Sequence, residues 1–236
     1  MKKWFLLVLT LVFVFVISGC STSDRTETAS EQTESVTESE RSDTDGLPKN
    51  KYNSESSSEN ESKSSVLVVY FSRTGEQYGV GEIDKGNTAI VAEMIADKTE
   101  ADMFEILPVD DHYPMTYDAL TDVAKQEQSD NARPEYSGGV PDLSQYDTVF
   151  MGAPVWWGDW PMIMYTFFEN EDLSGKTLVP FSTHAGSGIS GFDSKLSAAC
   201  PASNVLDGLA VTGADAQNNP DSVRITVDEW LYDIGY

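Results

Sequence analysis

The stretch that decides the fold of this chain is Val66-Leu67-Val68-Val69-Tyr70-Phe71-Ser72-Arg73-Thr74-Gly75. Its uninterrupted β-branched and aromatic residues are typical of a strand that is covered on both faces of a sheet. A few residues later, Gly86-Asn87-Thr88 precedes apolar residues at helical spacing, and we expect Asn87 to be the helix N-cap. Because a helix start beside a strand end leaves N–H groups unpaired, the sequence predicts a phosphate site there, and a hydroxyl-rich turn without a ligand is the alternative.

Short apolar runs and amphipathic stretches alternate along the rest of the chain. The predicted strands are residues 66–71, 102–108, 146–153, 177–182 and 204–211, and the predicted helices are residues 88–98, 117–128, 161–168, 192–199 and 221–236. This alternation favours the α/β class, with helices on both faces of an open parallel sheet. We expect a doubly wound, five-stranded sheet in the order 2-1-3-4-5, whose ligand crevice lies outside the carboxyl ends of the strands.

The loops after the third and fourth predicted strands are suited to a flat aromatic ring. The first loop carries three tryptophans, of which Trp156 and Trp157 are predicted to face a ligand and Trp160 to pack in the core. The second loop, residues 182–189, contains glycines that allow close backbone approach and hydroxyls that can bind polar ring edges. For the tryptophans, core packing or a partner interface is the alternative.

Together these three loops resemble the flavodoxin family, whose phosphate loop for flavin mononucleotide (FMN) has the form Ser/Thr-x-Thr-Gly-Asn-Thr. The matching residues are Ser72, Arg73, Thr74, Gly75, Asn87 and Thr88, and the insert Glu76–Gly86 separates the two halves. The resemblance implies that the isoalloxazine ring is flanked by Pro154, Val155, Trp156, Trp157 and Gly158. It also implies that the pyrimidine side of the ring is lined by Thr183, His184, Gly186, Ser187 and Gly188. Asp111-His112-Tyr113-Pro114 is similar to a signature of a flavodoxin-like subgroup found in bacterial lipoproteins and reductases.

The N-terminal residues predict export and lipid attachment. Residues 1–20 combine two lysines, an apolar run and Ser18-Gly19-Cys20, which resembles a bacterial lipoprotein signal that makes Cys20 the lipidated residue. An ordinary N-terminal membrane anchor is the alternative. Residues 21–64 are acidic and rich in Ser, Thr and Glu, so we expect a disordered tether ahead of a flavodoxin-like domain at 65–236.

The charge of the chain restricts its partners. A formal net charge of −24 disfavours binding to nucleic acid and to anionic lipid surfaces, so membrane attachment is expected through the lipid alone. An acidic surface suits a cationic partner, and a role in solubility alone is the alternative. The expected redox partner is a protein or a small-molecule electron acceptor. The only two histidines and two cysteines form no pattern typical of a metal site, and Cys200 is expected to be buried and inert.

Two classes of function remain open from the sequence. The first is an FMN-binding redox protein outside the cytoplasmic membrane, either an electron carrier or a small reductase acting on quinone-like acceptors. The second is a surface binding module that keeps the flavodoxin-like fold without flavin, which the interrupted phosphate loop motivates. The insert is expected either to shape a substrate pocket or to loop outward, and the oligomeric state is not predicted.

Overall fold

The structure is a computed structural model that describes residues 65–236. The signal peptide with Cys20 and the tether, predicted at 1–20 and 21–64, lie outside the described residues and stay predictions. In the described part, the strands are β1 (Val66–Tyr70), β2 (Gly75–Gln77), β3 (Gly81–Ile83), β4 (Asp102–Glu105), β5 (Thr148–Pro154), β6 (Thr177–His184), β7 (Asn204–Val205) and β8 (Leu209–Thr212). The helices are α1 (Asn87–Thr99), α2 (Tyr117–Asp130), α3 (Met162–Asn170), α4 (Phe192–Ala199), α5 (Gly213–Asn218) and α6 (Pro220–Ile234), and Leu143–Gln145 form one 3-10 turn.

The main sheet is parallel and has the predicted order. Its strands run β4-β1-β5-β6, and both β7 and β8 pair with the outer edge of β6. Counting β7 and β8 as one interrupted fifth strand gives the order 2-1-3-4-5. The α/β, flavodoxin-like fold class is therefore confirmed.

Helices cover both faces of this sheet, because alternate residues of the central strand enter two separate cores. Leu67 and Val69 of β1 pack in the core that includes residues of α2, α3 and α4. Val68 and Tyr70 pack in the core that includes residues of α1, α5 and α6. Burial on both faces explains why β1 reads as a continuous apolar run.

The fifth strand is interrupted because of a proline in its neighbour. Leu206 N–H donates to Leu178 O, so Pro180, two residues further along β6, faces the same outer edge. Pro180 has no N–H to donate there. The pairing resumes only at Leu209 opposite Phe181, so Leu206–Gly208 form a bulge between β7 and β8.

The starts of two helices differ from the prediction. Gly86 is the N-cap of α1 and Asn87 is its first residue, so the Asn87 cap was wrong. The last helix begins at Pro220 with Asn219 as its N-cap, one residue before the predicted start at 221. Proline suits that position because its missing N–H would have no intrahelical partner there.

The insert Glu76–Gly86 forms most of a small antiparallel hairpin, which the sequence did not predict. Strands β2 and β3 pair across the turn at Tyr78–Val80, and the hairpin packs against the start of α2. Glu76 N–H donates to Met115 O at 2.7 Å, and the Glu76 carboxylate accepts from Tyr117 N–H at 2.9 Å. The hairpin is therefore attached to the domain at its first strand.

Candidate functional site

The predicted phosphate segment consists of residues 72–75 and 87–88, and its two halves lie against each other despite the hairpin between them. Ser72 Oγ accepts a hydrogen bond from Ala89 N–H in the first turn of α1, at 3.0 Å. A Cβ atom on Gly86 would lie 2.1 Å from Ser72 Oγ and 2.7 Å from Arg73 O, so only glycine allows this approach. The chain thus leaves the segment after Gly75, forms the hairpin and returns to the same place.

Backbone donors remain available where the two halves meet. The N–H groups of Arg73, Thr74, Asn87 and Thr88 form no hydrogen bond with any of residues 65–236. Two of them belong to the first turn of α1, where the helix dipole adds partial positive charge. This arrangement can hold an anion through neutral N–H groups.

Most side chains of this segment are engaged with the protein itself. The guanidinium of Arg73 donates to both carboxylate oxygens of Asp111, at 2.8 and 2.9 Å, and to Tyr113 O at 2.9 Å. Its buried Nε has no partner among the described residues. Thr88 and Thr183 share a buried hydroxyl–hydroxyl bond of 2.7 Å. The donors of the segment that have no partner among the described residues thus include the backbone N–H groups and the Arg73 Nε–H.

The loop after β5 is a tight turn that presents its two tryptophans differently. Trp156 and Asp159 exchange backbone hydrogen bonds of 2.9 and 3.0 Å, and Trp157 and Gly158 between them have positive φ. Trp156 is half-buried and packs edge-on against Phe71. Trp157 is exposed, and its indole N–H donates to Thr121 O on α2 at 2.8 Å.

Trp160 lies in the core, as predicted. It is fully buried, and its ring stacks on Phe192 with ring centroids 3.7 Å apart. Asp159 accepts hydrogen bonds from Trp160 N–H and from the Tyr165 hydroxyl, so it stabilises the turn.

The loop after β6 is joined to the loop after β5. Val155 N–H donates to Thr183 O at 2.9 Å. His184 Nδ1 accepts from Gly186 N–H at 2.9 Å, which leaves Nε2 as the protonated nitrogen of the neutral ring. Burial lowers the pKa of His184 below its ordinary value, although the nearby Asp215 carboxylate raises it. His184 is therefore a neutral donor near pH 7.

These loops enclose one side of a cavity of about 350 Å³ at the carboxyl ends of β5 and β6. Seven of the predicted site residues line it: Asn87, Pro154, Val155, Trp156, Trp157, Thr183 and His184. The other nine do not line it: Ser72, Arg73, Thr74, Gly75, Thr88, Gly158, Gly186, Ser187 and Gly188. For all sixteen residues, contact with a cofactor stays a prediction.

Sequence reasoning missed the other side of the cavity. The lining residues that were not predicted are Gln77, Tyr78, Tyr117, Leu120, Thr121, Ala124, Ala185 and Gly213. A signal for α2 existed, since Tyr117, Leu120 and Ala124 recur at helical spacing, but this pattern also fits an ordinary core face. No apolar pattern in the sequence indicates that Gln77 and Tyr78 of the hairpin line the cavity.

The Asp111–Pro114 stretch ties α2 to the phosphate segment. Glu127 is a buried carboxylate on α2 that bonds His112 Nε2 at 2.9 Å and accepts from the Tyr113 hydroxyl at 3.1 Å. The His112 pKa is raised by its hydrogen bond with the Asp110 backbone and by Glu127, while burial opposes the shift. Because Arg73 binds Asp111 and the Tyr113 carbonyl, the stretch links α2 to the phosphate segment.

Two further properties concern only the described residues. Among residues 65–236, no three His, Cys, Asp or Glu side chains are arranged to hold a metal ion. Over the same residues, no helix has both the length and the apolar character required to cross a membrane.

A family model described as flavodoxin matches residues 65–227, which is more than half of the sequence. The chain therefore belongs to the flavodoxin family, and the predicted family is confirmed. No curated protein matches the chain.

Solved structures agree with this assignment. The chain is 30% identical to a candidate flavoprotein from Bacteroides uniformis, with 72% of this chain and 98% of that chain covered and a TM-score of 0.58. It is 28% identical to another from Bacteroides eggerthii, with 73% and 99% covered and a TM-score of 0.58. A flavoprotein from Lactobacillus acidophilus, solved in complex with FMN, shares the fold at 20% identity, with 67% and 99% covered and a TM-score of 0.52.

Proposed function

We propose that this chain is an FMN-binding redox protein that a lipid on Cys20 holds outside the cytoplasmic membrane. Membership of the flavodoxin family and the FMN-bound relative from Lactobacillus acidophilus support FMN as the cofactor. The observation that carries the proposal is that the closed phosphate segment and both ring loops converge on one end of the sheet. That end of a doubly wound sheet is where ligands bind.

The residues present fit FMN chemically. The unpaired N–H groups beside the start of α1 suit the phosphate, since a helix N-terminus stabilises an anion without a basic cluster. The cavity volume of about 350 Å³ is within the range of small-molecule pockets. Its walls include Trp156 and Trp157, whose indoles suit contact with a flat aromatic ring.

The chain's own groups then have separate roles. Bound FMN would supply the electron chemistry, and the protein would orient it and tune its electronic properties. Trp156 would exclude water from the ring, because its position is fixed by packing against Phe71. His184 would donate a hydrogen bond through Nε2–H, since the Gly186 N–H holds the neutral ring in that tautomer.

Electron transfer admits two roles, a carrier between protein partners or a reductase for quinone-like acceptors. A strongly acidic domain suits a cationic protein partner. Steady-state assays with nicotinamide donors and quinone acceptors separate the roles. Sustained turnover with a saturable acceptor supports a reductase, whereas transfer only to a protein partner supports a carrier.

A second function, a surface module without flavin, is favoured by one observation. The side chains of Arg73, Asn87 and Thr88 are bonded to Asp111, Gln217 and Thr183 rather than left free for a phosphate. An absorbance spectrum decides between the two functions. Protein purified with FMN and then freed of excess cofactor is expected to be yellow with quenched flavin fluorescence, and colourless protein would favour the second function.

The membrane attachment needs a separate experiment, because its residues lie outside the described part. Growth of the expressing bacterium with a labelled fatty acid is expected to mark the parent chain and not Cys20→Ala, because Cys20 is the predicted lipidated residue. A parent chain that is found in the membrane fraction without label would support the N-terminal apolar run as an ordinary anchor.

A further inference from the structure

Trp157 in the loop after β5 is held in position by α2. Its φ is 52°, a left-handed backbone conformation that is unfavourable for a bulky side chain. The Trp157 indole N–H donates to Thr121 O at 2.8 Å, and the Trp157 carbonyl accepts from Gln128 Nε2 at 3.4 Å. Both partners belong to α2, so this helix stabilises a conformation that the loop alone would not favour.

A third residue of α2, Lys125, covers one face of the same indole. Lys125 Nζ lies over the Trp157 ring, 4.7 Å from its centroid, which is within the range of a cation–π contact. Trp157 lines the cavity, whereas Lys125 does not. The lysine therefore covers the face of the ring that is turned away from the cavity, and the other face is available to a flat ligand.

The charge of Lys125 is not neutralised by an ion pair with any of residues 65–236. Six of the eight basic side chains in this range pair with carboxylates: Arg73, Lys85, Lys98, Arg133, Lys195 and Arg224. Lys176 donates to the backbone carbonyls of Leu143 and Tyr146, and Lys125 bonds the neutral side chain of Gln128 at 3.3 Å. Lys125 thus places an uncompensated positive charge behind a wall of the cavity.

This charge is exceptional in its surroundings. Residues 65–236 contain 28 acidic and 8 basic residues, which gives a net charge of −20. The field of such a domain disfavours added negative charge on a bound ring, and a cation behind the indole opposes that field locally. The Lys125 side chain is exposed, so its effect is expected to be modest and to shrink as salt is added.

From these contacts we infer that Lys125 is a positioning residue of the cofactor site, which holds the Trp157 indole against the flavin and favours the binding of reduced over oxidised FMN. The inference rests on the proposed function, because it requires a bound flavin. It differs from the general acidity of the domain, since it assigns an opposing effect to one residue that does not line the cavity.

The affinities of the full-length chain for oxidised and reduced FMN test the inference, because the ratio of these affinities sets the potential of the bound flavin. Lys125→Met removes the charge and keeps a long apolar side chain. At low salt it is expected to weaken the binding of reduced FMN about threefold more than that of oxidised FMN. Lys125→Arg keeps a cation that stacks on aromatic faces, so it is expected to retain the parent ratio.

Two further variants separate this role from a change in net charge. Lys98→Met is the matched control, because it removes one positive charge from an exposed lysine of α1 that pairs with Asp228. It is expected to leave the ratio of the two affinities unchanged. Trp157→Leu removes the ring over which Lys125 lies, so adding Lys125→Met to this variant is expected to change the ratio no further.

The outcomes distinguish the inference from the proposed function. FMN-loaded Lys125→Met with the parent ratio overturns the inference alone, and so does an equal shift in Lys98→Met. A full effect of Lys125→Met in the Trp157→Leu background also overturns it, because the charge would then act without the indole. A parent chain that never acquires flavin absorbance overturns both the inference and the proposed function.

Discussion

Individual residues near the cavity have fixed partners, and the two histidines show this most clearly. His184 accepts a hydrogen bond from Gly186 N–H, and its protonation would remove that bond. His112 bonds a buried carboxylate, which favours its protonated form. Burial lowers the pKa of His184 below 6.5, whereas the hydrogen bond with the Asp110 backbone, together with Glu127, raises the pKa of His112 above it.

The chain contains only these two histidines, so an NMR titration can assign both. We expect His184 to titrate below 6.5 and His112 above it. Glu127→Gln is expected to lower the His112 pKa and leave the His184 pKa unchanged, and Glu229→Gln, at an exposed glutamate of α6, is the control. Two histidines titrating together near 6.5 would contradict the arrangement.

The same shifts predict opposite contributions to stability. The His184 contribution is present above the unfolded pKa of 6.5 and is lost as pH falls from there through its lowered folded pKa, because the unfolded chain binds the proton more readily. The His112 contribution is present below 6.5 and is lost as pH rises through its raised folded pKa.

The buried hydroxyl pair gives a second prediction at the residue scale. Thr88→Val or Thr183→Val alone leaves one buried hydroxyl unpaired, and each is expected to cost about 1–3 kcal/mol of unfolding free energy. The double variant is expected to cost no more than either single variant, because both polar groups are gone. Urea denaturation of the FMN-free chain measures this cycle, and strictly additive losses would show that the two hydroxyls are not coupled.

Among the secondary structure elements, β5 and β6 pack more tightly than their sequence suggests. A Cβ atom on Gly152 of β5 would lie 2.0–2.5 Å from three ring atoms of the fully buried Phe181. Gly152→Ala is therefore expected to destabilise the domain by about 1–3 kcal/mol through overpacking. Chemical denaturation measures this loss.

The control for this prediction is Gly138→Ala, where a Cβ atom would meet open space, and where a change within about 0.5 kcal/mol is expected. Phe181→Leu combined with Gly152→Ala is expected to recover part of the loss, because the smaller side chain makes room. Equal stability of Gly152→Ala and the parent chain would contradict the packing of these two strands.

The sequence predicts the elements whose apolar residues recur at the spacing of a buried face. It does not predict elements that depend on a capping hydrogen bond or on a residue in another strand. β1 and the helices on its two faces are visible because alternate residues enter two cores. The sequence of α5 has little apolar pattern. This helix is stabilised at its start by the Thr212 hydroxyl, which accepts a hydrogen bond from Asp215 N–H at 3.0 Å. The break in the fifth strand depends on Pro180 in a different strand, which no local pattern can report.

For the candidate site, the sequence predicts the two loops that are rich in tryptophan or glycine. It does not predict the residues of α2 and of the hairpin, whose types are common in any domain. Trp156 and Trp157 were predicted from the composition of their loop and His184 from the family resemblance, and all three line the cavity. Tyr78 is placed there by bonds of Glu76 to α2, a tertiary contact with no sequence signature.

At the scale of the whole molecule, the acidic surface is expected to act on the flavin. Residues 65–236 carry a net charge of −20, and a negative field disfavours additional negative charge on a reduced cofactor. The bound FMN is therefore expected to have a midpoint potential below that of free FMN. A redox titration measures it.

Salt provides the control for this electrostatic cause. Added salt screens the field of exposed carboxylates, so the potential of the bound flavin is expected to rise toward that of free FMN. A potential well above that of free FMN at low salt would contradict the expected field.

The central claim is that two chain segments separated by a hairpin close on one phosphate. Binding of FMN and of riboflavin, which lacks the phosphate, tests it most directly when compared in the parent chain, Gly86→Ala and Gly138→Ala. The Gly86 Cβ would force Ser72 and Arg73 away from the start of α1, whereas the Gly138 Cβ touches nothing.

The parent chain and Gly138→Ala are predicted to prefer FMN by more than about tenfold, because N–H bonds to a charged group are strong. Gly86→Ala is predicted to bind both flavins with the same, weaker affinity. Equal affinity of the parent chain for the two flavins, or a full preference for FMN in Gly86→Ala, would contradict the claim.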